Sequence, residues 1–452
     1  MSATEELIAF LQELDYTRLS GEVISQAKRC VLDWVGVAIA GSRTPMARIS
    51  ERFATTQFGP GDATLITSPN RLGEVGATWV NGICGSALDM DDGHRLAMGH
   101  PGAAVIPTAL AVAETIGASG AEFLTAIVGG YEVAVRVSVS RVPDYKAGHY
   151  STGIWGAFGS VAAAGKLLGF DRQLFQHAFG IAGAHSPFPP GGAFVHESMV
   201  KEVIGWAGVV GCSSALLARE GFAGPKDVLD WSGRYDTAQL VENLGSEYAI
   251  INTYFKPYAS CRWSHSAIDG VLALAQEHFL QPEKMESIHV ETFRQASMLC
   301  DYAPATTVAA QYSLPFSVAL ALLRGRIGPQ ELTEVNLRDR QLLQLARKVK
   351  VSIDPELDRL FPQKTAARVT IHTGQGKFTT TVEYPRGNPE NPLSDAELAD
   401  KFHWLTVGVV GEERCTQLRE VIDHLEQLDS MRPLTKLLAF DSSADSAEAE
   451  II

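Results

Sequence analysis

Apolar positions recur at helical spacing from residue 4 to about residue 250. In residues 23–41, Ile24, Ala27, Val31 and Trp34 fall on one helical face, and the pattern stops at a glycine. Later blocks are rich in Ala and Gly and poor in charge, which indicates helices that are buried on most sides. They include GATWVNGICGSALDM, AEFLTAIVGGYEVAVRVSVS and WGAFGSVAAAGKLLGF. The pattern predicts a large all-helical core.

The pattern changes after about Tyr254, where segments with strand-like alternation begin. These segments are MESIHVETFRQA, VKVSID, AARVTIHT and KFTTTVEYP, with GQG as a hairpin turn between the last two. Helical segments separate them, so an α+β domain is predicted over residues 254–391. Near residue 392 the helical pattern returns, with Ser394 and Glu397 at the spacing of a capping box. Residues 441–452 are polar and acidic, and we expect a disordered tail there.

The composition is that of an ordinary globular protein, with 46% hydrophobic residues and a net charge of −14. This charge argues against a nucleic-acid partner or an anionic membrane surface, although a local cationic pocket can still bind a small anion. The six cysteines are far apart, which predicts neither a disulfide framework nor a structural zinc site. The acidic N-terminal stretch lacks the basic leader of a targeting peptide, and no run predicts a membrane span. We therefore expect a cytoplasmic protein.

The densest group of titratable side chains lies in LDMDDGHRLAMGHPG, residues 88–102. It contains three acids and two histidines: Asp89, Asp91, Asp92, His94 and His100. One interpretation is a polar loop whose acids cap helices, and a second is a metal site. The third, which we favour, is an acid–base cluster in which His100 is fixed just before Pro101. The sequence contains none of the glycine-rich phosphate loops, so no nucleotide cofactor is indicated.

Three further segments carry candidate chemistry. His149 and Tyr150 precede a small-residue helix, although the same segment also reads as a helix cap. Lys201 precedes a long apolar run; such a lysine is commonly a surface residue, but burial in a cleft would lower its pKa towards that of a usable base. Lys256 and Arg262 lie where the two patterns meet, the usual place for a cleft. Cations in an acidic chain fit a carboxylate substrate that loses a proton next to the carboxylate.

Taken in order along the chain, these segments resemble the motifs of the MmgE/PrpD family. The resemblance covers roughly residues 5–435 and includes the segment around Lys201. The other motifs are LDWVGVAIAGS, ALDMDDGHRLAMGHPGAAVIPTALAVAE, GIWGAFGSVAAAGKLLG, KPYASCRWSHSAIDG, QYSLPFSVALALLRG and PLSDAELADKF. The family includes 2-methylcitrate dehydratase, cis-aconitate decarboxylase and iminodisuccinate epimerase, whose substrates are small di- or tricarboxylates.

The resemblance implies a mainly α fold with a large all-helical domain and an inserted α+β lid domain. Residues 1–253 and 392–440 would form the helical domain, and residues 254–391 the lid. The active site would lie between them, dimers would form through the helical domain, and neither an organic cofactor nor a metal would be needed. The resemblance also assigns family positions to five side chains, namely Asp89, His100, Lys201, Lys256 and His265.

Several residues depart from the family pattern. Tyr150 takes the place of a histidine before the small-residue helix, with His149 one position away. Cys261 replaces the first histidine at the junction, Gly93 replaces a threonine, and Phe316 replaces a tyrosine. These changes argue against cis-aconitate decarboxylation.

The favoured hypothesis is an isomerase similar to iminodisuccinate epimerase. The alternatives are a hydro-lyase similar to 2-methylcitrate dehydratase and a catalytically silent carboxylate-binding protein. Tyr150 and Lys201 are the predicted opposed pair of bases, supported by the other catalytic candidates, His100 and Asp89. The predicted substrate-binding side chains are Lys256, Arg262, His265, His94, His149 and Asp92.

Overall fold

The protein is mainly α-helical, which confirms the predicted fold class. The computed structural model describes residues 1–143, 151–187 and 198–440, so the expected tail lies outside the described residues. The α-helices before the change of pattern are Ala3–Glu13, Gly21–Gly41, Pro45–Gln57, Glu74–Ser86, Gly102–Ile116, Gly120–Val139, Thr152–Leu167, Arg172–His185, Ile204–Arg219 and Thr237–Val241. Those after it are His265–Glu277, Arg294–Ser297, Thr307–Gln311, Leu314–Arg324, Glu334–Leu337, Arg340–Ala346, Pro355–Leu360, Asp395–Val410, Glu412–Asp423 and Arg432–Leu438.

Local signals in the sequence set the ends of these helices. The Ser20 side chain accepts a hydrogen bond from the backbone N–H of Val23 and begins the helix Gly21–Gly41. Ser394 and Glu397 form the predicted capping box at the start of Asp395–Val410. Because these caps satisfy backbone donors that a first helical turn leaves open, they fix where each helix begins.

Small residues let the apolar helices approach one another closely. A Cβ atom at Gly130 would lie 2.4 Å from the Val105 side chain, and one at Gly159 would lie 2.6 Å from Ala134. The helices that carry these residues are therefore buried against each other, as the blocks of Ala and Gly predict. No helix within the described ranges combines the length and the hydrophobicity that a membrane crossing requires.

The main hydrophobic cluster joins the helices at both ends of the chain. Phe402, in the helix Asp395–Val410, packs on Gly36, where a Cβ atom would meet its ring at 3.0 Å. Leu418, Ile422 and Leu434 belong to the same cluster. The C-terminal helices therefore complete the core that the N-terminal helices begin, although the exact domain boundaries at residues 253 and 391 remain a prediction.

A second hydrophobic cluster surrounds a four-stranded mixed sheet. Its strand order is Val349–Ile353, Met285–Thr292, Ala367–Thr373 and Gly376–Val382, in which the first pair is parallel and the others are antiparallel. All four strands were predicted, and the last two form the predicted hairpin. The helix His265–Glu277 packs on this sheet, since Gly270 leaves room for the Val369 side chain.

The two clusters meet around residues 88–94. Leu88 and Met90 belong to the second cluster although the chain around them belongs to the helical part. The short strand Gly93–His94 pairs with Thr253–Tyr254, which leads into the sheet-containing part. One further short pair, Pro60–Thr64 with Arg71–Leu72, lies elsewhere on the helical part. The segment richest in titratable groups is thus placed at the junction of the two parts.

Candidate active site

The backbone around the junction adopts conformations that are unusual for residues other than glycine. Asp89 and Met98 have φ values of 54°, and Lys201 and Val203 have φ values of 48° and 59°. Each such conformation costs about 1–3 kcal/mol and persists only where the surroundings enforce it. These four residues come from two distant stretches of sequence that the fold brings together.

Asp89 is buried between two lysines. Its Oδ2 lies 3.2 Å from Nζ of Lys256, and its Oδ1 lies 3.6 Å from Nζ of Lys201. The Lys256 ammonium also donates a hydrogen bond to the Asp89 main-chain oxygen at 2.9 Å. Burial opposes ionisation of Asp89, but the two ammonium groups outweigh it and hold the carboxyl pKa well below its ordinary value. The cluster therefore carries two positive charges and one negative charge.

The Lys201 ammonium is held by several acceptors. It donates hydrogen bonds to the main-chain oxygen of Ser86 and, at 3.0 Å, to Oε1 of Gln311, in addition to its contact with Asp89. Burial lowers the pKa of Lys201, but these acceptors require N–H groups and favour the charged form. The predicted role of Lys201 as a base remains a prediction.

His100 is held between two carboxylates. Its Nδ1 lies 2.7 Å from the main-chain oxygen of Asp92 and 3.4 Å from Oδ2 of Asp91. Its Nε2 lies 3.6 Å from Oε1 of Glu202. The backbone N–H of His100 donates to the Thr152 hydroxyl at 3.0 Å. The imidazole is buried, held by a hydrogen bond at Nδ1, and has an acidic side chain near each nitrogen.

The Asp92 carboxylate, a predicted substrate-binding group, is directed into the helical core. Its Oδ1 accepts a hydrogen bond from the Gly102 N–H at 3.2 Å, and its Oδ2 accepts one from the Tyr131 hydroxyl. Burial raises the pKa of Asp92 to about 7, against the effect of the Tyr131 hydrogen bond. His94, another predicted substrate-binding residue, is also buried. Its Nδ1 accepts a hydrogen bond from the Ala97 N–H, and burial lowers its pKa to about 4.

Arg262 is a buried cation with neutral partners. Its guanidinium donates hydrogen bonds to the main-chain oxygens of Pro385 and Arg386 at 3.1 and 2.9 Å, and to Oδ1 of Asn388 at 2.6 Å. Burial lowers its pKa to about 10, which leaves it charged at neutral pH. Among the described residues, no carboxylate forms an ion pair with this guanidinium. Within that part of the chain, its positive charge is therefore not paired with an acid.

His265 positions Arg262 in this structure. Its Nδ1 lies 3.0 Å from a guanidinium nitrogen of Arg262, and its Nε2 lies 3.1 Å from the Ser260 main-chain oxygen. A carbonyl oxygen only accepts, so Nε2 carries the hydrogen and Nδ1 accepts from Arg262. Burial, and then the charge of Arg262, lower the pKa of His265 well below its usual value and keep the ring neutral.

One cavity between the two parts of the fold collects several of these groups. The helical part contributes Asp89, His100 and Glu202, and the sheet-containing part contributes Cys261, Arg262 and Asn388. Arg95 and Tyr254 also line it. Of the predicted site residues, Asp89, His100 and Arg262 therefore share a cavity, and Lys201 and Lys256 adjoin it through Asp89. The cavity lining does not include His94, His265 or Asp92. The other two predicted site residues, His149 and Tyr150, lie outside the described residues.

Sequence reasoning missed Glu202 and Asn388. Glu202 directly follows the candidate Lys201, so its position was a usable signal. Asn388 lies in a loop rich in Pro, Gly and Asn, where an asparagine ordinarily marks a turn. No pattern in the sequence distinguishes it from other loop residues.

Comparison with known proteins agrees with this architecture. The MmgE/PrpD N-terminal domain matches residues 5–239, and the MmgE/PrpD C-terminal domain matches residues 258–427. The chain belongs to the MmgE/PrpD family. The change from one matched domain to the other falls where the hydrophobic pattern changes and where the cavity lies.

Named relatives in the MmgE/PrpD family match almost the whole chain. Cis-aconitate decarboxylase of Aspergillus terreus is 27% identical over 476 residues, which cover 96% of this chain and 95% of the relative. The human cis-aconitate decarboxylase is 26% identical, covering 99% of this chain and 96% of the relative. The mouse enzyme is 25% identical, with coverages of 99% and 95%.

The structure explains one departure from the MmgE/PrpD pattern, at Gly93, and shows where another, at Phe316, lies. A Cβ atom at Gly93 would lie 2.3 Å from the Tyr254 hydroxyl oxygen, so a threonine does not fit unless Tyr254 moves. Tyr254 thus takes the space that a larger residue at position 93 would need, and it lines the cavity. Phe316 is fully buried in the second hydrophobic cluster, away from the cavity lining.

In the residues that the structure describes, no group of three or more Cys, His, Asp or Glu side chains is placed to hold a metal ion.

Proposed function

We propose that this protein is a cofactor-independent enzyme that transfers a proton at the carbon next to a carboxylate of a small di- or tricarboxylate. One observation carries this proposal. A buried guanidinium that pairs with no carboxylate of the described residues, Arg262, shares a cavity with a histidine that lies near two acidic side chains, His100. The Arg262 guanidinium can bind an anion, and the His100 imidazole can transfer a proton.

Arg262 supports a carboxylate substrate. Its acceptors are neutral, and its buried Nε–H has no hydrogen-bond partner among the described residues, so a bound carboxylate would supply negative charge through a charge-assisted hydrogen bond. When a proton leaves the neighbouring carbon, negative charge spreads onto that carboxylate. A fixed cation at this place stabilises the developing charge and so lowers the barrier.

His100 supports the proton transfer itself. Histidine is the side chain most often used for this step, and a positioned acid–base group contributes roughly 10²–10⁴-fold to rate. His100 is buried in the cavity wall, with Asp91 near its Nδ1 and Glu202 near its Nε2. The ring is therefore suited to take up and return a proton.

Among the reaction types, the site and the relatives favour a lyase. Epimerisation requires acid–base groups on opposite faces of the reacting carbon, whereas His100 and Glu202 are only 3.6 Å apart, too close for a carbon atom to lie between them. The relatives that match nearly the whole chain are named as decarboxylases, which are lyases. The isomerase favoured by the sequence motifs remains the second candidate, because its predicted opposing base, Tyr150, lies outside the described residues.

Incubation with cis-aconitate, 2-methylcitrate and iminodisuccinate in deuterated water tests the proposal. Release of CO₂ with deuterium on the product carbon supports a decarboxylase, and a new double-bond absorbance supports a hydro-lyase. Deuterium uptake without either signal supports the epimerase. Binding of these acids without turnover or exchange would contradict the proposal and favour a silent carboxylate-binding protein.

We also propose that the protein forms a homodimer through an exposed aromatic surface of the helical part. Phe53, Phe58, Trp79 and Trp206 contact one another edge to face, with ring centroids 5.7–6.3 Å apart. Phe53 and Trp206 remain 48% and 41% exposed. Contiguous exposed aromatic surface of this kind is typical of protein interfaces.

A double variant, Phe53→Asp with Trp206→Glu, should convert the protein from dimer to monomer, because each acid would be buried without a partner in the interface. Sedimentation at micromolar concentration measures the change. Phe279→Glu, which alters a residue that is 87% exposed on the sheet-containing part, serves as the control and should stay dimeric. A monomeric parent protein would refute the dimer.

A further inference from the structure

Glu202 shares the cavity with His100, and neither the sequence motifs nor the comparisons assign it a role. Its side chain is 14% exposed, and its Oε1 lies 3.6 Å from Nε2 of His100. This distance is longer than a hydrogen bond, so the two groups are close without being bonded to each other. The gap is too narrow for a substrate atom, but a small approach of the two side chains lets a proton pass directly between them.

The tautomer of His100 directs its chemistry towards Glu202. Nδ1 is 2.7 Å from the main-chain oxygen of Asp92, which can only accept a hydrogen bond. Nδ1 therefore keeps its hydrogen, and the nearby Asp91 carboxylate favours this arrangement. Nε2 is then the atom that gains and loses a proton, and it is the atom that faces Glu202.

Thr152 fixes the orientation of both groups. Its hydroxyl oxygen accepts from the His100 backbone N–H at 3.0 Å, and the hydroxyl donates to Oε2 of Glu202 at 2.8 Å. The main-chain oxygen of Glu202 accepts hydrogen bonds from Ser151 and Gly153 at the start of the same helix. Oε2 is thus occupied, and Oε1 remains directed at His100. Burial raises the pKa of Glu202 above its ordinary value, which helps this carboxyl group to hold a proton.

We propose that Glu202 is a second acid–base group of the catalytic centre, which exchanges a proton with Nε2 of His100 and with the bound carboxylate substrate. This inference rests on the proposed function. In proton abstraction, the C–H bond breaks, its electron pair stays on carbon, and the proton passes to Nε2. The imidazolium then gives a proton to Oε1 of Glu202, which leaves both side chains neutral. The electron pair on carbon forms a C=C bond as the neighbouring C–O bond breaks, and Glu202 protonates the departing hydroxyl to give water.

In a decarboxylation, the proton moves in the opposite direction. The bond to the departing CO₂ breaks, and its electron pair stays on the substrate carbon. That carbon takes a proton from Nε2 of His100, protonated Glu202 restores the proton to the ring, and Glu202 regains its proton from water as the product leaves. Both directions use the same two atoms, so the assignment of Glu202 does not depend on which lyase reaction takes place.

Glu202→Gln tests the assignment by kinetics. The amide keeps the shape and still accepts from Thr152, but it cannot carry the proton, so kcat should fall by about 10²-fold while KM changes little. One limb of the kcat–pH profile should also disappear. Glu220→Gln alters a 76% exposed glutamate at the far end of the next helix and should behave as the parent. A kcat within twofold of the parent, or a loss confined to KM, would overturn the inference.

A second measurement needs no turnover. In protein with ¹³C-labelled glutamate, the Glu202 carboxyl signal is identified by its loss in Glu202→Gln, and its titration reports its pKa. Because the positive charge of His100 lowers the pKa of Glu202, His100→Gln should shift this titration to higher pH. No shift would overturn the inference. A shift in a protein that turns over none of the acids would instead refute the proposed function and leave the proton-exchanging pair in place.

Discussion

His100→Gln should lower kcat by about 10³–10⁴-fold, which corresponds to roughly 4–5.5 kcal/mol of transition-state stabilisation. The glutamine can keep a hydrogen bond to the Asp92 main-chain oxygen but cannot take up a proton. Arg262 and its partners are unchanged, so KM should change by less than about threefold. Steady-state kinetics with whichever carboxylate the parent enzyme turns over measures both constants.

The control for this variant is His403→Gln. His403 is 51% exposed, pairs with Glu412 on the surface and does not line the cavity. Its replacement should leave kcat unchanged, and both variants should retain the helical circular dichroism of the parent. A folded His100→Gln protein that keeps a third or more of its kcat would show that another group transfers the proton.

Lys401→Met should destabilise the protein by about 3–5 kcal/mol, because it leaves a buried carboxylate without its partner. The Lys401 ammonium lies 2.6 Å from Oδ1 of Asp33 and donates to the Met90 main-chain oxygen at 2.8 Å. The Asp33 side chain is fully buried. Chemical denaturation followed by circular dichroism measures the free energy of unfolding.

This destabilisation should grow with pH. Burial raises the pKa of Asp33 above the ordinary 3.8, and Lys401 opposes that rise. Without Lys401, folded Asp33 keeps its proton to higher pH than the unfolded chain does. The free energy of unfolding therefore falls as pH rises from the unfolded pKa of Asp33 through its folded pKa. The cost of Lys401→Met should therefore be larger at pH 8 than at pH 5.

The double variant Asp33→Asn with Lys401→Met provides the matched control. It removes both charges, so it should recover much of the lost stability and its difference from the parent should depend little on pH. Equal costs of the single variant at pH 5 and pH 8 would contradict the explanation. A double variant as unstable as the single one would do the same.

Local patterns in the sequence predicted most of the fold. The blocks of Ala and Gly predicted buried helices, the alternating segments predicted all four strands of the sheet, and Ser394 with Glu397 predicted a helix start. These features depend on residues close together in the chain. Their physical causes, which are side-chain periodicity and satisfaction of backbone donors, can therefore be read locally.

The candidate site was predictable only in part. Residue type indicated that His100 and Arg262 could act on a carboxylate, and the change of pattern indicated a junction between them. Residue type did not show that Asp92 is directed into the helical core or that His265 positions Arg262. Those outcomes depend on side-chain orientation and on contacts between distant segments. Asp33 and Lys401, which are 368 residues apart, are the clearest example.

The dependence of the first helices on the last ones has a consequence for synthesis. Gly36 leaves the ribosome long before its packing partner Phe402 is translated, by an interval on the order of tens of seconds at about 5–20 residues per second. During that interval the apolar surface around Gly36 has no covering helix. Folding of this part of the core therefore cannot be completed until the helix Asp395–Val410 has been translated.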